Sequence, residues 1–137
     1  MAVRPYTVEQ AAEKVGCHAE TIRRAIRSKE LLARIERGEA KARTSEVVIA
    51  EVVFVLERTY HVPKHEISDY VLPIILFRGL ILPRKRLFLR VFDLYVGKNI
   101  SFADAYNAAL MEKLRITDIA SYDLHFDRVE GVRRFEP

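Results

Sequence analysis

The sequence lacks most of the features that would take it out of the globular class. It holds one cysteine, Cys17, in 137 residues. A lone thiol excludes a disulfide framework and a cysteine metal cage, and it suits a reducing cytosol. Tryptophan is absent, glycine and proline number five each, and no Pro/Gly/Ser linker or internal repeat interrupts the chain. Long apolar runs are missing as well. The longest, Val71 to Leu82, is about twelve residues broken by Arg78, whereas a membrane span needs roughly 20. Met1 to Tyr6 carries no charged-then-apolar signal. What is present is 50% apolar and 31% charged residues, enough apolar surface to offset the entropy of ordering. These features predict a soluble cytoplasmic protein of one ordinary domain or two small ones.

The net charge of +4 is unevenly placed. Met1 to Arg43 has ten Lys or Arg against six Asp or Glu, and Thr44 to Pro137 has thirteen of each. The excess positive charge therefore lies wholly in the first third. That asymmetry points to a polyanion-binding segment on a neutral body, or to solvated helix faces rich in arginine.

In this first third, Thr7 and Gln10 form a capping-box pattern, and Val8, Ala11, Ala12 and Val15 recur at helical spacing. Gly16 reads as a helix stop. A second helix follows from Ala19, with Ile22, Ala25 and Ile26 on one face and Arg23, Arg24 and Arg27 on another. Two short helices around a glycine turn, the second bearing arginines, form a helix-turn-helix pattern. The stretches Tyr6 to Ala12, Val15-Gly16 and Glu20 to Arg27 resemble the excisionase-type helix-turn-helix family, relatives of the MerR class. By that resemblance Arg23, Arg24 and Arg27 would contact nucleic acid. Members of that family continue into a short stranded wing, but here Ser28 to Gly38 reads as more helix, ending near Arg37.

Beyond Gly38, Thr44-Ser45 precede the run Val47 to Leu56, in which five of ten residues are valine. Composition suits a strand, whereas length, cap and continuation to Tyr60 predict a helix. Pro63 ends it. Further helices are predicted over Glu66–Leu76, Leu87–Tyr95 and Phe102–Leu114, the last capped by Ser101. Strands are predicted at Gly79–Pro83, Ile116–Ser121 and Val132–Phe135. Strands separated by helices imply a parallel α/β sheet.

Four carboxylates stand out in this body. Glu51 is the one charged residue in an apolar run, which places it in or beside the core, as a paired structural glutamate or as a ligand. Asp104 follows Ser101 by three residues, the spacing of a capping box and of an acid favoured by the helix dipole. Asp123 comes just after a predicted strand, where parallel sheets present ligand-binding residues, although turns use aspartate too. Asp127 lies four residues on. His125 between them is a lone histidine, a type more often neither ligand nor base.

Thr44 to Val53, Phe102 to Ala105, Ser121 to Val129 and Gly131 to Arg134 together resemble the PIN-domain family, most closely the VapC-type toxin ribonucleases. The resemblance implies a three-layer α/β sandwich and a metal-dependent endoribonuclease. Glu51, Asp104 and Asp123 would be its catalytic and metal-binding acids, and Asp127 a variable further ligand. It also implies Mg²⁺ or Mn²⁺ as cofactor, RNA as substrate, an antitoxin protein as partner and a homodimer. Carboxylate oxygens are the hard donors these ions take, and ions so held can activate water against a phosphodiester.

The chain departs from that family at its start. PIN domains open with a central strand ending in Asp-Thr or Asp-Ser, whose Asp is the first metal ligand. Here the helix-turn-helix segment occupies that place, and the first aspartate in the chain is Asp69. The sequence therefore divides into a helix-turn-helix over residues 1–30 and a PIN-like domain over 31–137, with a sheet incomplete at its first strand. A site short of one carboxylate should hold metal more weakly. The competing expectation is a non-catalytic DNA-binding protein that uses the N-terminal arginines, with the body as a dimerisation platform.

Overall fold

The computed structural model describes residues 19–137. The predicted first helix, with Thr7, Gln10 and Gly16, lies outside the described residues. Helix α1 spans Ala19–Arg37 without a break, passing through residues 30 and 31. Gly38 follows at φ +80, in the left-handed region that glycine enters at no steric cost. Among the described residues Ile35 is the one buried side chain of α1, while Ile26, Leu31 and Leu32 are exposed. The helix is thus held at its C-terminal end. There the Gly79 amide donates to Ile35 O at 2.8 Å, and a Cβ on Gly79 would lie 2.0 Å from Ala40 O.

Helix α2 spans Glu46–Arg58 and resolves the ambiguity of the valine run. Ser45 caps it, its hydroxyl accepting from the Val48 amide at 3.3 Å. Ile49 and Val53 are buried, with Leu56 packed beside them at helical spacing. The remaining apolar side chains point elsewhere: Val47, Val48, Val52 and Phe54 are exposed. Glu51 is exposed with them, so the expectation of a glutamate in or beside the core is corrected. A helix turns 100° per residue, and the position two beyond Ile49 falls on the far side of the packed stripe.

Pro63 precedes helix α3, Lys64–Ile75, which buries Ile67, Val71 and Ile75 and carries Pro73 near its end. Helix α4, Leu87–Gly97, contributes Phe88, Val91, Phe92, Leu94 and Tyr95 to the core. Helix α5, Phe102–Leu114, presents Ala105, Ala108 and Ala109. Small residues at that spacing let helix axes approach closely, and α4 against α5 is the most extensive helix contact in the fold. Phe102 sits among Phe92, Tyr95 and Phe88, with ring centroids 5.3, 5.6 and 6.3 Å away. These aromatic contacts fix the first turn of α5 on the core.

Among the described residues the strands are short and all parallel, consistent with the predicted α/β class. They fall into two separate pairs. Strand β1, Ala42–Arg43, joins β2, Leu80–Ile81; strand β3, Asp118–Ala120, joins β4, Arg133–Phe135. Strand β1 was not expected, since two residues carry no alternation to read. A five-residue 3-10 turn, Leu124–Arg128, connects β3 toward β4. Among the described residues no helix is long and apolar enough to cross a membrane.

Candidate metal centre

A helix start and a turn, each held by side-chain capping, bring the acids together. At the start of α5, Ser101 Oγ accepts the Asp104 amide at 3.1 Å and donates to Asp104 Oδ2 at 2.6 Å. Asp104 is mostly buried, with 14% of its side chain exposed. After β3, Ser121 Oγ accepts the Asp123 amide at 3.0 Å, and Asp123 Oδ1 accepts the His125 amide at 2.9 Å. Phe126, 3% exposed, anchors the 3-10 turn in the interior. The turn thereby aims His125 back at both acids. Its Nδ1 lies 3.2 Å from Asp123 Oδ1 and 3.8 Å from Asp104 Oδ2.

One donor atom from each of Asp104, Asp123 and His125 lies within 4.8 Å of the others. His125 Nδ1 is buried and has no hydrogen-bond partner. An orphaned ring nitrogen facing two carboxylates is a donor set that fits a divalent cation, which would satisfy all three at once. The sequence reading set His125 aside as a lone histidine. Its place two residues after Asp123, in a turn that Asp123 itself caps, was the signal available.

Glu51 stands apart from this group. It lines a groove between α2 and the start of α5, with Val47, Phe54, Ser101 and Ala103. Asp127 is engaged elsewhere. Arg134 donates to both its oxygens, at 3.0 and 3.3 Å, and also to Ser121 O and Glu136. The pair joins the 3-10 turn to β4.

One lysine feels the charge of Asp104. Lys64 Nζ donates to Ile100 O at 2.6 Å and lies 4.7 Å from the centre of the Tyr95 ring. Burial pushes the Lys64 ammonium below the usual lysine range, with Glu57 and Asp104 opposing that shift and Arg58 and Arg128 adding to it. Arg128 donates to Asn99 O at 3.0 Å. Arg58, Arg128 and Asp104 therefore all lie in the electrostatic neighbourhood of Lys64. On α1, Arg24 and Arg27 approach Glu20 at 3.7 and 2.7 Å, and Arg23 comes within 4.0 Å of it.

The family model for the PIN domain matches residues 18–132, most of the chain, and the protein belongs to the PIN-domain family. The match begins at residue 18, so it takes in the whole of α1, and it ends at residue 132, just before β4. Members of this family are generally nucleases acting on RNA, and typically use divalent metal ions. No curated protein and no solved structure matches the chain.

Proposed function

We propose that the chain is a metal-dependent endoribonuclease of the VapC type, with Asp104 and Asp123 holding Mg²⁺ or Mn²⁺. The observation that carries this reading is the convergence of these two acids and His125 at the carboxyl end of β3. When bound, the ion supplies a water acidic enough to act as nucleophile and charge to offset that of the phosphate. The chain's own residues do the rest. Ser101 and the α5 cap hold Asp104 in one orientation, so its carboxylate needs no reordering when a cation arrives. Lys64, Arg58 and Arg128 attract the phosphate backbone, and Glu51 adds a carboxylate across the adjoining groove. An antitoxin partner, a second copy of the chain and a cytoplasmic setting belong to the same reading, whereas Asp127, held by Arg134, stays outside its ligand set.

The test is cleavage of RNA in Mg²⁺ or Mn²⁺ by the full chain and by Asp104→Asn and Asp123→Asn. Loss of cleavage in both supports the proposal, and undiminished cleavage in both overturns it.

One observation favours a second reading. Among the described residues α1 meets the body at its C-terminal end, and Arg24 and Arg27 are exposed. A non-catalytic DNA-binding protein would use that face, and its duplex affinity would fall with rising salt and after Arg24→Ala and Arg27→Ala. Unchanged affinity in that double variant removes this alternative.

A further inference from the structure

We infer that His125 is a protein ligand of the divalent ion, through Nδ1, and that it turns the site's preference from Mg²⁺ toward Mn²⁺ and later transition ions. The inference rests on the reading that Asp104 and Asp123 hold a cation. Three observations support the histidine's part.

The first is spacing. Oxygen and nitrogen donors sit about 2.1 Å from such ions, so neighbouring donors are about 3.0 Å apart and opposite ones about 4.2 Å. The Nδ1 distances of 3.2 and 3.8 Å to the two carboxylates fall inside that span. The second is satisfaction. Asp104 Oδ2 has Ser101 Oγ and Asp123 Oδ1 has the His125 amide, whereas Nδ1 is buried and makes no hydrogen bond, only facing Asp123 Oδ1 at 3.2 Å. The third is constraint. The main-chain bond to Asp123 and the buried Phe126 next door set the ring's direction, and the ring remains 43% exposed. With Nδ1 as the lone-pair donor, the ring proton sits on Nε2.

The chemistry follows from donor type. Mg²⁺ favours oxygen and binds imidazole poorly, whereas imidazole suits the transition ions, with affinity rising from Mn²⁺ through Co²⁺. An imidazole beside two carboxylates also gives the site one negative charge fewer than three carboxylates would. That penalises a hard ion held by charge more than one held partly by nitrogen.

The experiment is calorimetric titration of the full chain with MnCl₂, CoCl₂ and MgCl₂, on wild type, His125→Gln, His125→Asp and Asp123→Asn. The nitrogen hyperfine splitting on bound Mn²⁺ is read in parallel. Wild type should favour Mn²⁺ over Mg²⁺ and show nitrogen coupling. His125→Gln should lose on the order of tenfold in Mn²⁺ affinity, change Mg²⁺ affinity much less, and lose the coupling. His125→Asp should raise Mg²⁺ affinity and narrow the ratio, which guards against a variant that merely disturbs the turn. An unchanged Mn²⁺ to Mg²⁺ ratio in His125→Gln, with no coupling in wild type, overturns the inference and identifies His125 as an ion-pair partner of the acids. Asp123→Asn separates this from failure of the underlying reading. If wild type binds no ion, or Asp123→Asn binds all three ions as wild type does, the metal site itself is refuted.

Discussion

Ser101 and Asp104 cap one another: the serine hydroxyl takes the aspartate's amide and gives its proton to the aspartate's carboxylate. The same side chain thus serves the helix end and the candidate centre. Ser101→Ala should destabilise the fold by about 1 kcal/mol, the usual worth of an N-cap. It should also weaken Mn²⁺ binding, since Asp104 loses the bond that orients it. Denaturant unfolding and calorimetry on the one variant read both effects. A full-strength ion affinity beside the stability loss would show that Asp104 needs no such orientation.

Asp127 and Arg134 make a different prediction. Arg134 is 12% exposed and Asp127 53%. Removing the cation should cost more, because Ser121 O and two carboxylates lose their donor together. Arg134→Met should lower stability by about 2 kcal/mol, and Asp127→Asn by about 1 kcal/mol or less. Asp127→Asn should leave Mn²⁺ affinity within about twofold. A loss on the order of tenfold would instead place Asp127 among the ligands.

The buried phenol of Tyr95 should shape the alkaline limb of stability. Its hydroxyl donates to Glu57 Oε2 at 2.7 Å, and burial, reinforced by that carboxylate, raises its ionisation well above the ordinary tyrosine value. The unfolded chain gives up this proton near pH 10 while the folded chain keeps it. The stabilisation is therefore complete below about pH 10 and is lost as pH rises further. Tyr95→Phe should cost about 1–2 kcal/mol at neutral pH and show a shallower decline between about pH 9 and 11. Parallel slopes in wild type and variant would refute the assignment. Lys64 acts in the opposite sense: its lowered ionisation makes the fold gain stability as pH approaches the unfolded lysine value.

Gly79 should tolerate no side chain. A Cβ there would meet Ala40 O at 2.0 Å and Ile35 O at 2.7 Å, both main-chain atoms that cannot swing aside. Gly79→Ala should cost about 2–3 kcal/mol, the range of an overpacked site. It should also separate α1 from β2, which a loss of amide protection at Gly79 and Ala42 would report by hydrogen exchange.

The helices of the body were readable because their signals are local. Ser101 three residues before Asp104 marked the start of α5, and Ser45 before the valine run outweighed that run's strand-like composition. Glu51 misled because a helix made of valine on every side does not announce which face it will bury. The division of the strands into two pairs could not be read, since pairing joins residues far apart: Ala42 with Leu80, and Asp118 with Arg133. Asp104 and Asp123 were legible as candidate acids from their positions at a helix start and a strand end. His125 and Lys64 were not. Their importance depends on distances across the fold, to Asp104 in one case and to Ile100 and Tyr95 in the other.

Among the described residues α1 meets the body at its C-terminal end. From Ala19 to Ile35 the helix rises about 24 Å at 1.5 Å per residue. The contact is the crossing of Ile35 over Gly79, whose amide donates to the Ile35 carbonyl. A tilt of about 10° at that joint would carry the far end about 4 Å, while the contact itself hardly moved. A change at this glycine joint would therefore shift the positions of Arg24 and Arg27, which lie about two to three turns of helix away from it.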